Sequence, residues 1–324
     1  MKHIAVLTSG GDAPGMNACI RAVVRTALYH KLKVSGVIGG YSGLINGDFI
    51  SMDSSSVGNI IQRGGTILKT ARSKRFMTEE GRKLAYENLK KQGIDGLVVI
   101  GGDGSFRGAN VLSDEFPDIK VIGIPGTIDN DLVGTDFTIG YDTAINTVVQ
   151  AVDNIRDTAT SHNRLFFVEV MGRDAGLIAL RSGIACGAEA ILIPETKTYM
   201  NKLIKILERG WQRKKTGCVI IVAEGDDAGG AYKVAEQVKK KFDKYETKVA
   251  ILGHIQRGGS PTCMDRVLAT RLGYESVVAL KEGKNRVMVG QVAGHVILTP
   301  LENAVKHIFE VNETIINIAD IMSL

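Results

Sequence analysis

The 324-residue chain is poor in the features that mark several protein classes. Its four cysteines, Cys19, Cys186, Cys218 and Cys263, lie far apart and form no CxxC pair, which argues against a disulfide framework or a cysteine metal site and for buried free thiols in a reducing compartment. Only six prolines occur, and no segment combines low hydrophobicity with one sign of charge, so a disordered tail is not expected. No apolar run approaches the length of a bilayer span. The first residues run straight into a strand pattern without the apolar core and cleavage site of a signal peptide, so a cytoplasmic location away from membranes is expected. The net charge of +5 is modest and the basic residues are scattered. That permits anionic ligands without implying nucleic acid. Neither GxxxxGK[ST] nor GxGxxG occurs, so any nucleotide is held by another device.

What is present is an alternation of short β-branched runs with longer helical patterns, which predicts an α/β protein with parallel strands and crossover helices. Strands are predicted over 4–8, 34–38, 96–100, 120–124, 165–170, 190–193, 219–223, 249–252 and 287–292. Helices are predicted after the turn at 9–15, and over 79–92, 144–157, 175–185, 201–213, 232–244 and 265–282. The order βαβ reads as repeating from end to end. In such a sheet ligands gather beyond the carboxyl ends of the strands, and the glycine-rich and acidic stretches fall there.

Three of these stretches carry chemistry. Ser9-Gly10-Gly11-Asp12-Ala13-Pro14-Gly15 joins the first strand to a helix, where backbone N–H groups and the positive helix end suit an anion; equally, its glycines could serve only a tight turn. Gly101-Gly102-Asp103-Gly104-Ser105 puts a carboxylate among glycines, a poor holder of bare phosphate but a good partner for a hard cation bridging phosphate oxygens. The competing reading of Asp103 is a helix cap. Pro125-Gly126-Thr127-Ile128-Asp129-Asn130-Asp131 offers two carboxylates that divide labour, one accepting a proton from an attacking hydroxyl and one supporting a metal. Together they point to phosphoryl transfer. Met171-Gly172-Arg173 and the 253–261 stretch add Arg173 and Arg257 as phosphate forks. His254, taken singly, reads as a core histidine.

These motifs, with Leu7-Thr8 before and Met16-Asn17 after the first loop, resemble the bacterial ATP-dependent 6-phosphofructokinases in order, spacing and strand context. The resemblance implies two doubly wound, mostly parallel Rossmann-like sheets flanked by helices, with the active site in the cleft between them. The larger, ATP-binding domain would comprise 1–140 plus 256–305, and the smaller, fructose 6-phosphate-binding domain 141–255 plus 306–324. It implies transfer of the γ-phosphate of ATP to the 1-hydroxyl of fructose 6-phosphate, the committed step of glycolysis, with Mg²⁺, in a homotetramer. Gly11, Tyr41, Arg72, Ser73, Gly102, Asp103, Gly104, Ser105 and Gly108 would line the ATP site. Asp129 would be the base, with Gly11, Arg72, Thr127 and Arg173 also serving the transfer; Asp103 and Asp131 would serve the metal. Thr127, Asp129, Asp131, Met171, Gly172, Arg173, Glu224, His254 and Arg257 would hold the sugar phosphate, joined by Arg164 and Lys248 of a neighbouring subunit. An ADP or phosphoenolpyruvate effector would meet Arg21, Arg25, Ser54, Asn59, Arg156, Gly187, Glu189, Arg213, Lys214 and Lys215.

The departures from the family pattern are informative. Lys248 stands where Arg is usual, replacing a bidentate fork by a point charge. Ser54, Asn59 and Gly217 replace an Arg, an Asp and a His, which implies muted effector control. Ser73, Lys74, Arg75 and Met77 differ from the usual residues around the adenine. Pyrophosphate-dependent relatives usually carry Asp and Lys where this chain has Gly104 and Gly126, so ATP is the expected donor and pyrophosphate the alternative. A lipid or NAD kinase shares only the Gly-Gly-Asp-Gly stretch. A non-catalytic sensor would be expected to lack Asp129 or Arg173.

Overall fold

The computed structural model describes residues 1–307 and 313–322. The strands are β1 (His3–Thr8), β2 (Lys33–Val37), β3 (Phe49–Ser51), β4 (Gly96–Gly101), β5 (Lys120–Pro125), β6 (Arg164–Val170), β7 (Ala190–Leu192), β8 (Cys218–Ala223), β9 (Glu246–Ile251), β10 (Val287–Val292) and β11 (His295–Pro300). The helices are α1 (Met16–Tyr29), α2 (Gly40–Asn46), α3 (Glu79–Lys91), α4 (Asp103–Glu115), α5 (Tyr141–Ser161), α6 (Leu177–Ala185), α7 (Met200–Gln212), α8 (Gly230–Lys239), α9 (Cys263–Lys281) and α10 (Glu313–Met322). Chain contacts divide them into two compact units, Met1–Thr143 with Arg257–His307, and Ala144–Gln256 with α10.

The first unit is built on a seven-stranded sheet in the order β11-β10-β5-β4-β1-β2-β3. Every residue of Gly-Leu-Val-Val-Ile-Gly in β4 is buried. A central parallel strand covered by helices on both faces loses the period-two alternation and reads as a continuous apolar run. Phe106, projecting from α4 into this core, is fully buried. Cutting such a side chain back to alanine costs about 3–5 kcal/mol. Two helices start on threonine caps: Thr78 Oγ1 accepts the Gly81 N–H before α3, and Thr262 Oγ1 accepts the Asp265 N–H before α9. Each cap contributes about 1 kcal/mol.

The parallel βαβ order does not run from end to end. β3 pairs antiparallel with β2, and β11 antiparallel with β10. The β10–β11 link is only Ala293-Gly294, both at positive φ (48° and 80°), a two-residue hairpin turn. A parallel return needs a crossover of a dozen or more residues, so a link this short dictates an antiparallel edge. β3, β11, α2 and α10 are additions to the sequence expectation, and α4 begins at Asp103. Helix ends shift by a few residues, most in α5 and α8.

The second unit has a wholly parallel four-stranded sheet, β7-β8-β6-β9. Leu165, Phe167, Ile220 and Val222 from one face of it pack with Leu203 and Leu207 of α7 and Val234 and Val238 of α8. β9 is an edge strand with no fully buried residue. Among the described residues no helix is long and apolar enough to cross a membrane.

Candidate active site

Three of the chemistry-bearing loops lie side by side in the first unit because β5, β4 and β1 are neighbours and parallel. The sheet order reverses here, β2 lying on one side of β1 and β4 on the other. Such a switch point leaves a crevice beyond the strand ends. The Ser9 N–H donates to Ile100 O at 3.0 Å, and the Gly126 N–H to Gly101 O at 2.9 Å. A Cβ on Gly102 would sit 3.7 Å from Thr127 Cβ, so the 101–105 and 125–131 loops touch.

The 125–131 loop is acidic and tied down by its own hydrogen bonds. Asp129, Asn130 and Asp131 are all buried, and Thr127 is half-buried. Asn130 takes a left-handed φ of 53°. Its Oδ1 accepts the Thr138 N–H at 2.7 Å and its Nδ2 donates to Asp136 O at 3.1 Å, while the Thr138 hydroxyl donates to Thr127 O. Thr127 Oγ1 accepts the Asp129 N–H at 3.3 Å. Burial, reinforced by the negative charge of Asp129, pushes the Asp131 carboxyl above its ordinary value, and Lys306 opposes that shift. Lys306 Nζ lies 3.7 Å from Asp131 Oδ2. It is brought there by an antiparallel bridge between Leu132 and Lys306 and by the His307 N–H on Asp131 O at 2.8 Å. No sequence signal pointed to Lys306, which lies far along the chain.

In the 101–105 loop, Gly102 occupies the cap position without a side chain, so Asp103 is a first-turn residue of α4 and not its cap. Its carboxylate meets Arg107 one turn on, at 2.9 Å. Gly104 is exposed, and a Cβ there would meet nothing within 4 Å. A Cβ on Gly126 would fall 2.9 Å from Ile100 Cγ2 and 3.2 Å from Met16 Cε. Tyr41 is buried, stacked on Phe76 at 3.9 Å between ring centres, with both rings against Gly108. Its hydroxyl donates to the carbonyl of the buried Ser105. Tyr41 therefore supports this loop from beneath. Arg72 is exposed, and Ser73 Oγ accepts the Phe76 N–H at 3.3 Å. The Arg257 guanidinium lies over Gly11, where a Cβ would come within 2.5 Å of Nη1, and that nitrogen donates to Asp12 O at 3.1 Å.

In the second unit the carboxyl ends of β8, β6 and β9 gather Glu224, Met171 to Arg173, and His254. Arg173 is exposed at a left-handed φ of 53°, and its N–H donates to Glu224 Oε1 at 2.8 Å. A non-glycine residue held in that region marks a backbone fixed by its surroundings, as Asn130 does in the acidic loop. Gly225 could carry no side chain, since its Cβ would overlap Arg173 O. The Met171 N–H donates to Gln256 Oε1 at 3.2 Å, and Gln256 is fully buried. The core-histidine reading of His254 fails: His254 is exposed on the short helical turn Gly253–Arg257, and Gln256 takes the buried position. Gln256 went unremarked in the sequence because its neighbours His254 and Arg257 looked more reactive. Arg164 and Lys248 both pair with Glu246.

The expected effector residues are partly engaged already. Arg21 and Arg25 share a face of α1, and burial, then the charge of Arg25, lowers the Arg21 pKa. Ser54 and Asn59 are exposed. In the second unit Glu189 is buried, accepts the Val219 N–H, and pairs with Lys215 at 2.7 Å and Arg156 at 3.5 Å. Arg156 also donates to Cys186 O and Gly187 O. Arg213 and Lys214 are exposed just beyond α7. A Cβ on Gly217 would lie 2.8 Å from the Ala159 carbonyl carbon and the Thr160 nitrogen, so a histidine there would force α5 away. The free thiols of Cys19 and Cys218 are buried and Cys186 is half-buried, but Cys263 is exposed at the start of α9, which corrects the expectation that all four are buried.

Comparison with known proteins fits this arrangement. The Phosphofructokinase family matches residues 3–280. An "ATP-dependent 6-phosphofructokinase 2" from Bacteroides thetaiotaomicron is 53% identical over 324 residues, covering 100% of this chain and 99% of the relative. An "ATP-dependent 6-phosphofructokinase" from Bacillus pumilus is 56% identical over 317 residues, covering 96% and 97%. A crystal structure of Pichia pastoris phosphofructokinase superposes with a TM-score of 0.88 at 38% identity over 94% of this chain, which spans 35% of that longer chain. The chain belongs to the phosphofructokinase family.

Proposed function

We propose that this protein transfers the γ-phosphate of ATP to the 1-hydroxyl of fructose 6-phosphate, giving fructose 1,6-bisphosphate and ADP. The observation that carries this reading is the buried Asp129–Asp131 loop lying against the 101–105 loop at the switch point of the sheet. Asp129 accepts the proton of the attacking hydroxyl. Thr127 and Arg173 hold oxygens of the transferring phosphoryl group, and Arg72 bridges the phosphates. Met171, Glu224, His254 and Arg257 orient the sugar phosphate, and Arg164 and Lys248 reach it from a second copy in a homotetramer. The open space at Gly104 supports a nucleotide donor over pyrophosphate.

Asp103 and Asp131 would hold the metal. The fit is chemical: hard carboxylate oxygens would stand beside the phosphates, and burial first, then the negative charge of Asp129, raises the Asp131 pKa against the pull of Lys306, so a cation there would favour the ionised carboxylate. Among the described residues no group of three metal-binding side chains occurs. Mg²⁺ takes one or two carboxylates and completes its shell with phosphates and water, so two carboxylates would suffice to hold it. Magnesium, when bound with the nucleotide, neutralises the phosphate oxygens on which charge develops. The location is cytoplasmic on this reading.

The test couples fructose 1,6-bisphosphate formation to ATP and, separately, to pyrophosphate. Turnover with ATP alone is expected. Turnover only with pyrophosphate would replace the donor assignment, and none with either would remove the function.

A further inference from the structure

Between β6 and the edge strand β9 lies an ion cluster of Arg164, Glu246 and Lys248, of which the resemblance names the two cations but not the carboxylate. Arg164 and Glu246 are direct partners in the parallel register of β6 and β9, and Lys248 follows Glu246 by two residues. Residues two apart on a strand share a face, so the three side chains stand together, opposite the face on which Leu165 and Phe167 enter the core. Arg164 Nε lies 2.7 Å from Glu246 Oε2, and Lys248 Nζ 2.6 Å from Glu246 Oε1. One carboxylate thus takes a cation on each oxygen. Hydrogen bonds from Lys248 and then Arg164 hold its pKa to about 2, so it stays ionised at any working pH.

We propose that Glu246 is an internal stand-in for the substrate phosphate: it occupies the cation pair Arg164–Lys248 and must give way when the 6-phosphate of the sugar binds there. The proposal rests on the reading of Arg164 and Lys248 as sugar-phosphate ligands. A phosphate dianion and the Glu246 carboxylate cannot share the two cations, because each cation would then face two anions that repel each other at close range. Glu246 therefore sets the affinity by competition. It also keeps the cations gathered and in register, so that only a ligand with more charge than a carboxylate displaces it.

The experiment measures the half-saturation for fructose 6-phosphate, that for ATP, and competitive inhibition by inorganic sulfate, in the full-length enzyme and in Glu246→Gln. Exposed ion pairs are each worth little, so breaking two of them lowers the fructose 6-phosphate half-saturation by about three- to tenfold. Sulfate should inhibit Glu246→Gln at correspondingly lower concentration, while the half-saturation for ATP stays as it is. A purely structural role for Glu246 would not strengthen sulfate inhibition. Lys248→Met is the companion variant. If it weakens fructose 6-phosphate binding while Glu246→Gln leaves it unchanged or weaker, the competition is refuted and the subsite reading stands. If Lys248→Met has no effect on fructose 6-phosphate, the subsite reading itself fails.

Discussion

Gly104→Asp separates stability from donor use. The position lies in the first turn of α4 and is exposed, and a Cβ there would meet nothing within 4 Å, so the substitution encounters no steric resistance. Glycine inside a helix is about 1 kcal/mol worse than alanine, and an acidic side chain in the first turn complements the helix dipole. The variant should therefore unfold at the same temperature as the parent or slightly above it. Catalysis moves the other way. On the proposed function a second carboxylate next to Asp103 would face the nucleotide phosphates, and two unit charges about 4 Å apart repel by ~1 kcal/mol in water and ~4 kcal/mol at an effective dielectric constant near 20. For an exposed site beside a half-buried one, about 1–3 kcal/mol is lost, or roughly 5- to 150-fold in kcat/KM for ATP. Gly126→Lys behaves oppositely in stability, because its Cβ would press on the fully buried Ile100 and Met16. Overpacking of that kind costs about 1–3 kcal/mol and should lower the melting temperature by several degrees. Thermal unfolding and steady-state kinetics with both donors decide the matter. A Gly104→Asp enzyme that unfolds well below the parent, or that keeps kcat/KM for ATP within twofold, would refute the reasoning.

Two further outcomes are expected. Lys248→Arg restores a planar fork where the chain has a point charge, so the half-saturation for fructose 6-phosphate should fall by a few-fold; a rise would contradict the assignment of that position. Phosphoenolpyruvate should shift the sugar-phosphate response little, since Glu189 already engages Arg156 and Lys215 and Gly217 leaves no room for a histidine beside α5; strong sigmoidal inhibition at low effector concentration would overturn this.

The central strands and the acidic loops were legible because their chemistry is local. Leu97 to Ile100 reads as an apolar run that only a doubly covered strand explains, and the Asp129 and Asp131 loop follows directly on another. The sheet edges were not. The Ala293-Gly294 turn lacks the Asn-Gly or Asp-Gly signal of a tight hairpin, and β11 is largely exposed, so no apolar pattern announced it. α2 hides behind Gly40 and Gly43, poor helix formers retained because a Cβ at either would strike a backbone carbonyl. Long-range partners were equally invisible. Lys306 reaches Asp131 through a bridge between distant segments, and Glu246 acquires meaning only once β6 and β9 are in register. Tyr41 is a further case: nothing local in the sequence announces that its ring is buried and its hydroxyl donates to the Ser105 carbonyl.

The most direct test of the account is the rate of ATP-driven fructose 1,6-bisphosphate formation by the intact enzyme and by Asp129→Ser, with fructose 6-phosphate binding measured alongside. Loss of the base should cut turnover by roughly two to four orders of magnitude while sugar-phosphate binding persists. Near-normal turnover in Asp129→Ser would contradict the assignment of the buried acidic loop as the catalytic centre.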